Sequence, residues 1–148
     1  AHKVQDGKGC IMRDGMDAVY EIFEATDGLV LGTPVYYNSV SSQMKLMIDR
    51  SYCLAKAVPL GPGKRKYVTA VKKRKKGVVI SVGGSGTNPD CVLPIFDIWS
   101  SEVNLEIIDT LCVSEGQLGR LPMESEITLE AAFEKGRDLV TCLLENSY

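Results

Sequence analysis

The sequence predicts an α/β protein built on a parallel sheet, and three observations carry that reading. First, there are three apolar runs of strand length: "LVLGTPV" over 29–35, "GVVISVG" over 77–83 and "LEIIDTLCV" over 105–113. Second, stretches with helical spacing of apolar residues lie before, between and after them. Third, the first two runs end in clusters of Pro, Tyr, Asn, Ser and Gly, which are turn residues. Strands alternating with helices imply βαβ units, and continuous apolar strands suit a sheet covered on both faces. Right-handed crossovers then bring the carboxyl ends of all three strands to one rim.

Each element has a local justification. Met16, Val19, Tyr20, Ile22 and Phe23 recur at helical spacing, and Thr26-Asp27-Gly28 stops that helix, with the glycine in the usual position after it. Residues 39–54 read as a second helix, with Val40, Met44, Met47, Ile48 and Tyr52 inward. Residues 55–76 are the least legible: Pro59, Gly61, Pro62 and Gly63 mark a loop before a basic run. Asn88 and Pro89 suit the start of a helix over about 89–103, which Pro94 kinks or delays. Gly116 to Ser125 reads as a loop, and Thr128 as the cap of a last helix to about Leu144. With no internal repeat and no linker, residues 1–148 form one domain.

Composition excludes several functions. Hydrophobic content of 45% and charged content of 24% are ordinary for a globular chain. No apolar run approaches a membrane span and no signal peptide opens the sequence, so no membrane partner is expected. Five scattered cysteines without a C-x-x-C pair argue against a disulfide framework and for a reducing, cytoplasmic compartment. Cys53, Cys112 and Cys142 fall in apolar stretches and read as core. Cys91, near a helix N-terminus, is the candidate for the most reactive thiol if exposed. The single histidine, His2, leaves no interior base for a hydrolase. Eight of the 17 basic residues lie between Lys64 and Lys76 without an acid, leaving 9 basic against 19 acidic residues elsewhere. Such a run reads as a solvated face. No nucleic-acid motif accompanies it, so nucleic acid is not an expected partner, and a regulatory nucleic-acid module ranks last among the readings.

The informative place is the rim, because ligands of open α/β sheets bind outside the carboxyl ends of the strands. Two loops meet there, "TPVYYNSVSS" after the first strand and "GGSGTNPD" after the second. Tyr36 and Tyr37 offer stacking faces, Asn38, Ser39 and Ser41 offer hydrogen bonds, and Gly83, Gly84 and Gly86 leave backbone uncovered for close approach. Singly, each has a plain structural reading as a turn, a cap or a core residue. Their convergence favours a planar heterocycle with polar edges.

"ATDGLVLGTPVYYNSVSSQMKLMIDRSYCL" (25–54) resembles the flavin-binding signature of flavodoxin-like NAD(P)H-dependent FMN reductases, especially the archaeal-type iron–sulfur flavoproteins. Those proteins carry a G-[ST]-P-V-Y element, a serine-containing turn and a helix with L-K-x-x-I-D-R, matched here by Met44 to Arg50. "GVVISVGGSG" (77–86) resembles their second flavin loop, and residues 7–21 the segment before the first strand. The resemblance implies a doubly wound flavodoxin-like sheet and FMN as cofactor. It implies that Thr33, Pro34, Val35, Tyr36, Tyr37, Asn38, Ser39, Ser41, Gly83, Gly84 and Ser85 embrace the isoalloxazine. Family members begin with a β-α-β portion and a phosphate-gripping loop, which are not found before residue 7, so the domain reads as lacking them. Of the family's clustered cysteines only Cys10 is matched, and an iron–sulfur cluster would require further N-terminal cysteines.

The function implied is an FMN-binding oxidoreductase. It would pass electrons from NAD(P)H or reduced ferredoxin to a quinone, a flavin or a metal centre, with no catalytic side chain required. The alternative is a non-enzymatic flavodoxin-type electron carrier working with a protein partner. An apolar edge strand over 29–35 and the family resemblance both point to a homo-oligomer.

Overall fold

The computed structural model describes residue 10, residues 12–115 and residues 125–145. A three-stranded parallel sheet forms its centre, in the order β1 (Gly28–Pro34), β4 (Lys75–Gly83), β5 (Leu105–Ser114). Helices α1 (Met16–Ala25), α2 (Ser42–Ser51) and α3 (Leu93–Glu102) precede β1, follow β1 and connect β4 to β5. A last helix, α4 (Glu126–Glu145), follows β5. A separate antiparallel pair, β2 (Ala55–Gly61) and β3 (Lys64–Thr69), occupies the segment where a loop is expected from the sequence. There Pro59 sits beside a register shift and Gly61 and Gly63 take positive φ, so the residues that suggested a loop form the turn of a hairpin.

The main core lies on one face of the sheet. Leu31 and Val79 pack with Phe23 of α1 and with Phe96 and Trp99 of α3, all 6% exposed or less. Trp99 meets Phe23 and Phe96 edge-on, at centroid distances of 5.7 and 6.3 Å. Its indole Nε1 donates to Ser51 Oγ at 2.6 Å inside this core, so a polar atom is buried without being left unpaired.

The opposite face carries α4 alone among the described elements. The expectation that β1 is covered on both faces is therefore corrected. Leu31 and Thr33 are buried, whereas Val30, Gly32 and Pro34 are exposed, with Val30 at 59%. The cause is that α4 closes on β1 only near its start. A Cβ on Gly28 would lie 2.7 Å from Leu143 Cδ1 and 3.7 Å from Leu139 Cδ2. Gly28 is thus the first residue of β1, kept small by α4, and the helix stop falls on the extended Thr26 instead.

Other boundaries moved for reasons of capping. Helix α2 begins at Ser42 rather than residue 39, because Ser41 Oγ accepts from Met44 N at 3.3 Å and ends the turn before it. A 3₁₀ turn over Pro89–Val92 precedes α3, so Pro94 delays the α-helix and does not kink it. Ser125, not Thr128, caps α4: its Oγ accepts from Thr128 N at 3.4 Å. The predicted loop over 116–124 lies outside the described residues. Of the basic run, Lys64, Arg65 and Lys66 are exposed as expected, but Lys75 is 1% exposed, its Nζ donating to Lys73 O and Val103 O. Burial lowers its pKa from the ordinary lysine value. Tyr52 is exposed instead of inward, its ring 6.2 Å from Tyr67.

Candidate functional site

Parallel register puts Pro34 beside Val82 and brings the carboxyl ends of β1 and β4 together. One step beyond, Val35 N donates to Val82 O at 2.8 Å, so the two rim loops leave the sheet side by side. The first loop is a tight reversal. Tyr36 and Ser39 exchange backbone hydrogen bonds of 3.0 Å in both directions, and Tyr37 and Asn38 between them take φ of 50° and 57°. Two successive positive φ values define a type I′ turn, which asparagine tolerates better than tyrosine. That strained turn throws the Tyr37 ring fully into solvent and leaves Tyr36 61% exposed at the rim.

The candidate residues divide by role. Thr33 is buried, and its Oγ1 accepts from Ser41 N at 3.0 Å and donates to Pro34 O at 2.9 Å. Thr33 and Ser41 therefore tie the two ends of the loop together beneath it. Val35 is buried too, and its side chain belongs to the core. Pro34, Tyr36, Tyr37 and Asn38 are exposed and Ser39 half-exposed, and these can meet a ligand.

In the second loop Gly83 is buried and Gly84 and Ser85 are exposed. A Cβ on Gly83 would overlap Thr87 Oγ1, whereas one on Gly84 would meet nothing within 4 Å. Gly83 is thus glycine for packing, and Gly84 presents open backbone at the rim. Thr87 holds the turn closed, its Oγ1 donating to Gly84 O at 2.7 Å, and Gly86 supplies a φ of 77°.

Between this rim, the sheet face and the start of α4 lies a cavity of about 400 Å³. Pro34, Tyr36, Gly83 and Gly84 of the rim line it together with Ile80 and Leu111 of the sheet face, and its wall is overwhelmingly apolar. The volume falls within the range of small-molecule sites. A flat ring with one polar edge fits these residues: apolar walls for its faces and open backbone at Gly84 for its edge. Thr128 and Leu129 of α4 also line the cavity, and the sequence reading missed them. Their signal was weak, because Leu129 reads as an ordinary helix residue, and 56% exposure of an apolar side chain shows only in three dimensions.

The cysteines are all half-buried, so none of Cys53, Cys112 and Cys142 is a fully enclosed core residue. Cys91 packs against the core and does not stand free at the helix start. Hydrogen bonding by the Met12 backbone, and less strongly by Arg50, lowers the Cys10 thiol from its ordinary value. Arg50 itself forks onto Asp14, at 2.7 and 3.0 Å. No group of three or more His, Cys, Asp or Glu able to hold a metal occurs among the described residues. No described helix is long and apolar enough to cross a membrane.

Residues 2–93 match the family model described as NADPH-dependent FMN reductase. An iron-sulfur flavoprotein of Methanosarcina thermophila is 36% identical over 81 residues, 55% of this chain and 37% of that protein. One from Methanocaldococcus jannaschii is 33% identical over 81 residues, covering 55% and 36%. The matches therefore span little more than a third of the length of these curated relatives. Among solved structures, general stress protein 14 of Treponema denticola, in complex with FMN, aligns with a TM-score of 0.53 at 18% identity. That alignment covers 93% of this chain and 73% of the other, and it supports the flavodoxin-like fold expected from the sequence.

Proposed function

Because the chain belongs to the NADPH-dependent FMN reductase family, we propose that it forms the ring-gripping part of an FMN-dependent oxidoreductase. The observation that carries this reading is the pair of loops tied by Val35 N to Val82 O beside an apolar cavity of ring-sized volume. Bound FMN would supply the redox chemistry, accepting electrons from NAD(P)H or reduced ferredoxin and yielding them to a quinone, a flavin or a metal centre.

The chain's own residues bind and orient. Pro34 and Tyr36 wall one side, while the uncovered backbone at Gly84 lets the polar edge come within hydrogen-bond reach. N–H groups of the two loops, aimed at that edge, favour negative charge developing there without any proton transfer by a side chain. Thr33 and Ser41 hold the first loop in place from below, and Thr87 does the same for the second. Apolar residues lining the cavity exclude water from the ring face.

Assembly is part of the proposal. β1 is an edge of the described sheet, and the exposed strip of Val30, Gly32 and Pro34 lies beside it. An apolar edge strand invites another strand, so a homo-oligomer or a further segment of a longer polypeptide would cover it. Light scattering over a dilution series tests this: a well-behaved monomer of the 148-residue chain at low concentration contradicts it.

The functional test is the visible spectrum of the purified protein, followed by addition of NADPH under anaerobic conditions. Flavin bands that bleach on addition support a reductase. Flavin bands that NADPH leaves unchanged, but a one-electron donor protein bleaches, favour the carrier. A colourless protein that does not take up added FMN contradicts both.

A further inference from the structure

We propose that Lys76 and Cys142 are a peroxide-responsive modification site, joining through an Nζ–O–Sγ bridge that fastens α4 to the sheet. The two residues are 66 positions apart in sequence, yet Lys76 Nζ donates to Cys142 Sγ at 2.9 Å in a partly buried setting. Lys76 is the second residue of β4, opposite Gly28 and Glu106, at the end of the sheet away from the flavin rim. Packing fixes the sulfur in place. Leu139 and Leu143 of the same helix close on Gly28, so the α4 face bearing Cys142 is held against the strand ends.

The charge arrangement favours reaction. The thiolate is the form that attacks peroxide, and the Lys76 ammonium sits directly against this sulfur at 2.9 Å. Reciprocally, the hydrogen bond to Cys142 raises the Lys76 pKa; burial opposes this, and Glu106 and Arg74 contribute with opposite signs. Oxidation removes that effect. Once the sulfur is a neutral sulfenic acid, its pull on the ammonium is gone and burial opposes the charge. A larger fraction of the amine then carries a free lone pair, the form that bonds, and the reaction should quicken as pH rises. No other cysteine has this companion described beside it: Cys10 lies by the Arg50 guanidinium, Cys53 by the Tyr20 hydroxyl and Cys112 by Ser81.

Two molecules of hydrogen peroxide balance the chemistry. In the first step the thiolate sulfur attacks one peroxide oxygen, the O–O bond breaks, and sulfenic acid and water result. In the second, an N–O bond forms between Nζ and the sulfenic oxygen. The amine and the sulfenic acid each give up a hydrogen, and the second peroxide takes two electrons and leaves as two waters. The net change at the protein is gain of one oxygen atom and loss of two hydrogen atoms. Geometry selects the oxygen bridge over a direct N–S bond. A bridge with one inserted atom spans close to the existing 2.9 Å gap, so it forms with less movement of the two side chains than a direct N–S bond would need.

The test is peroxide treatment of the purified protein, followed by non-reducing digestion and mass spectrometry. The expected product is a linked peptide pair containing Lys76 and Cys142, heavier than the sum of the two by one oxygen less two hydrogens. Dithiothreitol should release it. It should be absent from Cys142→Ser and from Lys76→Arg, and treatment should raise Tm in the wild-type protein but in neither variant. Recovery of Cys142 as sulfinic acid or disulfide with Lys76 unmodified would overturn the proposal. So would a linked pair lacking the oxygen, or a pair that persists in Lys76→Arg.

Discussion

Gly83→Ala tests how the second loop is held. The added methyl overlaps Thr87 Oγ1 and lies 3.1 Å from Thr87 Cβ and 3.7 Å from Ser114 Cβ. Thr87 cannot simply rotate away, because its Oγ1 donates to Gly84 O at 2.7 Å. Either that bond breaks, at about 0.5–1.5 kcal/mol, or the loop shifts, at the ~1–3 kcal/mol typical of overpacking. The loss of stability in urea should therefore be about 1–3 kcal/mol. A shifted loop also moves Gly84, so FMN affinity by fluorescence titration should fall about fivefold or more, equivalent to ~1 kcal/mol. Thr87→Ala alone loses only its hydrogen bond, ~0.5–1.5 kcal/mol. In the double variant the hydroxyl that causes the overlap is gone, so the combined cost should fall short of the sum by about 1 kcal/mol. Strict additivity, or a neutral Gly83→Ala, would refute the claim that Thr87 dictates glycine here.

Three other substitutions follow from the same geometry. Tyr36→Ala combined with Asn38→Gly should weaken FMN binding by roughly 1–3 kcal/mol, the scale of lost stacking and hydrogen bonding; glycine at 38 keeps the positive φ, so unchanged affinity would move the ring elsewhere. Ser51→Ala leaves the buried indole N–H of Trp99 without its acceptor, and urea unfolding should show a loss of about 1–3 kcal/mol, against none if the bond is incidental. Lys135 holds the Asp109 carboxyl below its ordinary range. Stability from this pair is thus present above the unfolded pKa of about 3.9 and lost as pH falls through the lower folded value; Asp109→Asn should flatten that acid limb of the Tm–pH curve, and an unchanged limb would contradict the pairing.

The sheet was legible because its strands are apolar, short and bounded by turn residues, and the structure shows all three within a residue or two of their expected ends. The hairpin over 55–69 was not. Its first strand is a run of small apolar residues broken by Lys56 and Pro59, and its second opens with three basic residues in a row, so neither period stands out, and Pro59 argued against a strand. Burial was misjudged at β1 for a different reason: an apolar run reports what a strand could bury, not which neighbours arrive. At the rim, the two loops were readable from composition, but roles within them were not. Thr33 and Ser41 look like ligand donors in sequence, and only the Ser41 N to Thr33 Oγ1 bond shows them turned toward each other. The contribution of α4 to the cavity could not be read at all, since it depends on where a helix more than forty residues later comes to rest.

The central claim, that the loops after β1 and β4 together grip the flavin ring, is tested most directly by amide hydrogen exchange of the purified protein with and without FMN. The account predicts that added FMN slows exchange in both segments, residues 36–39 and 84–86, while β2 and β3 exchange as before. Slowed exchange confined to other segments, with FMN demonstrably bound, would contradict it.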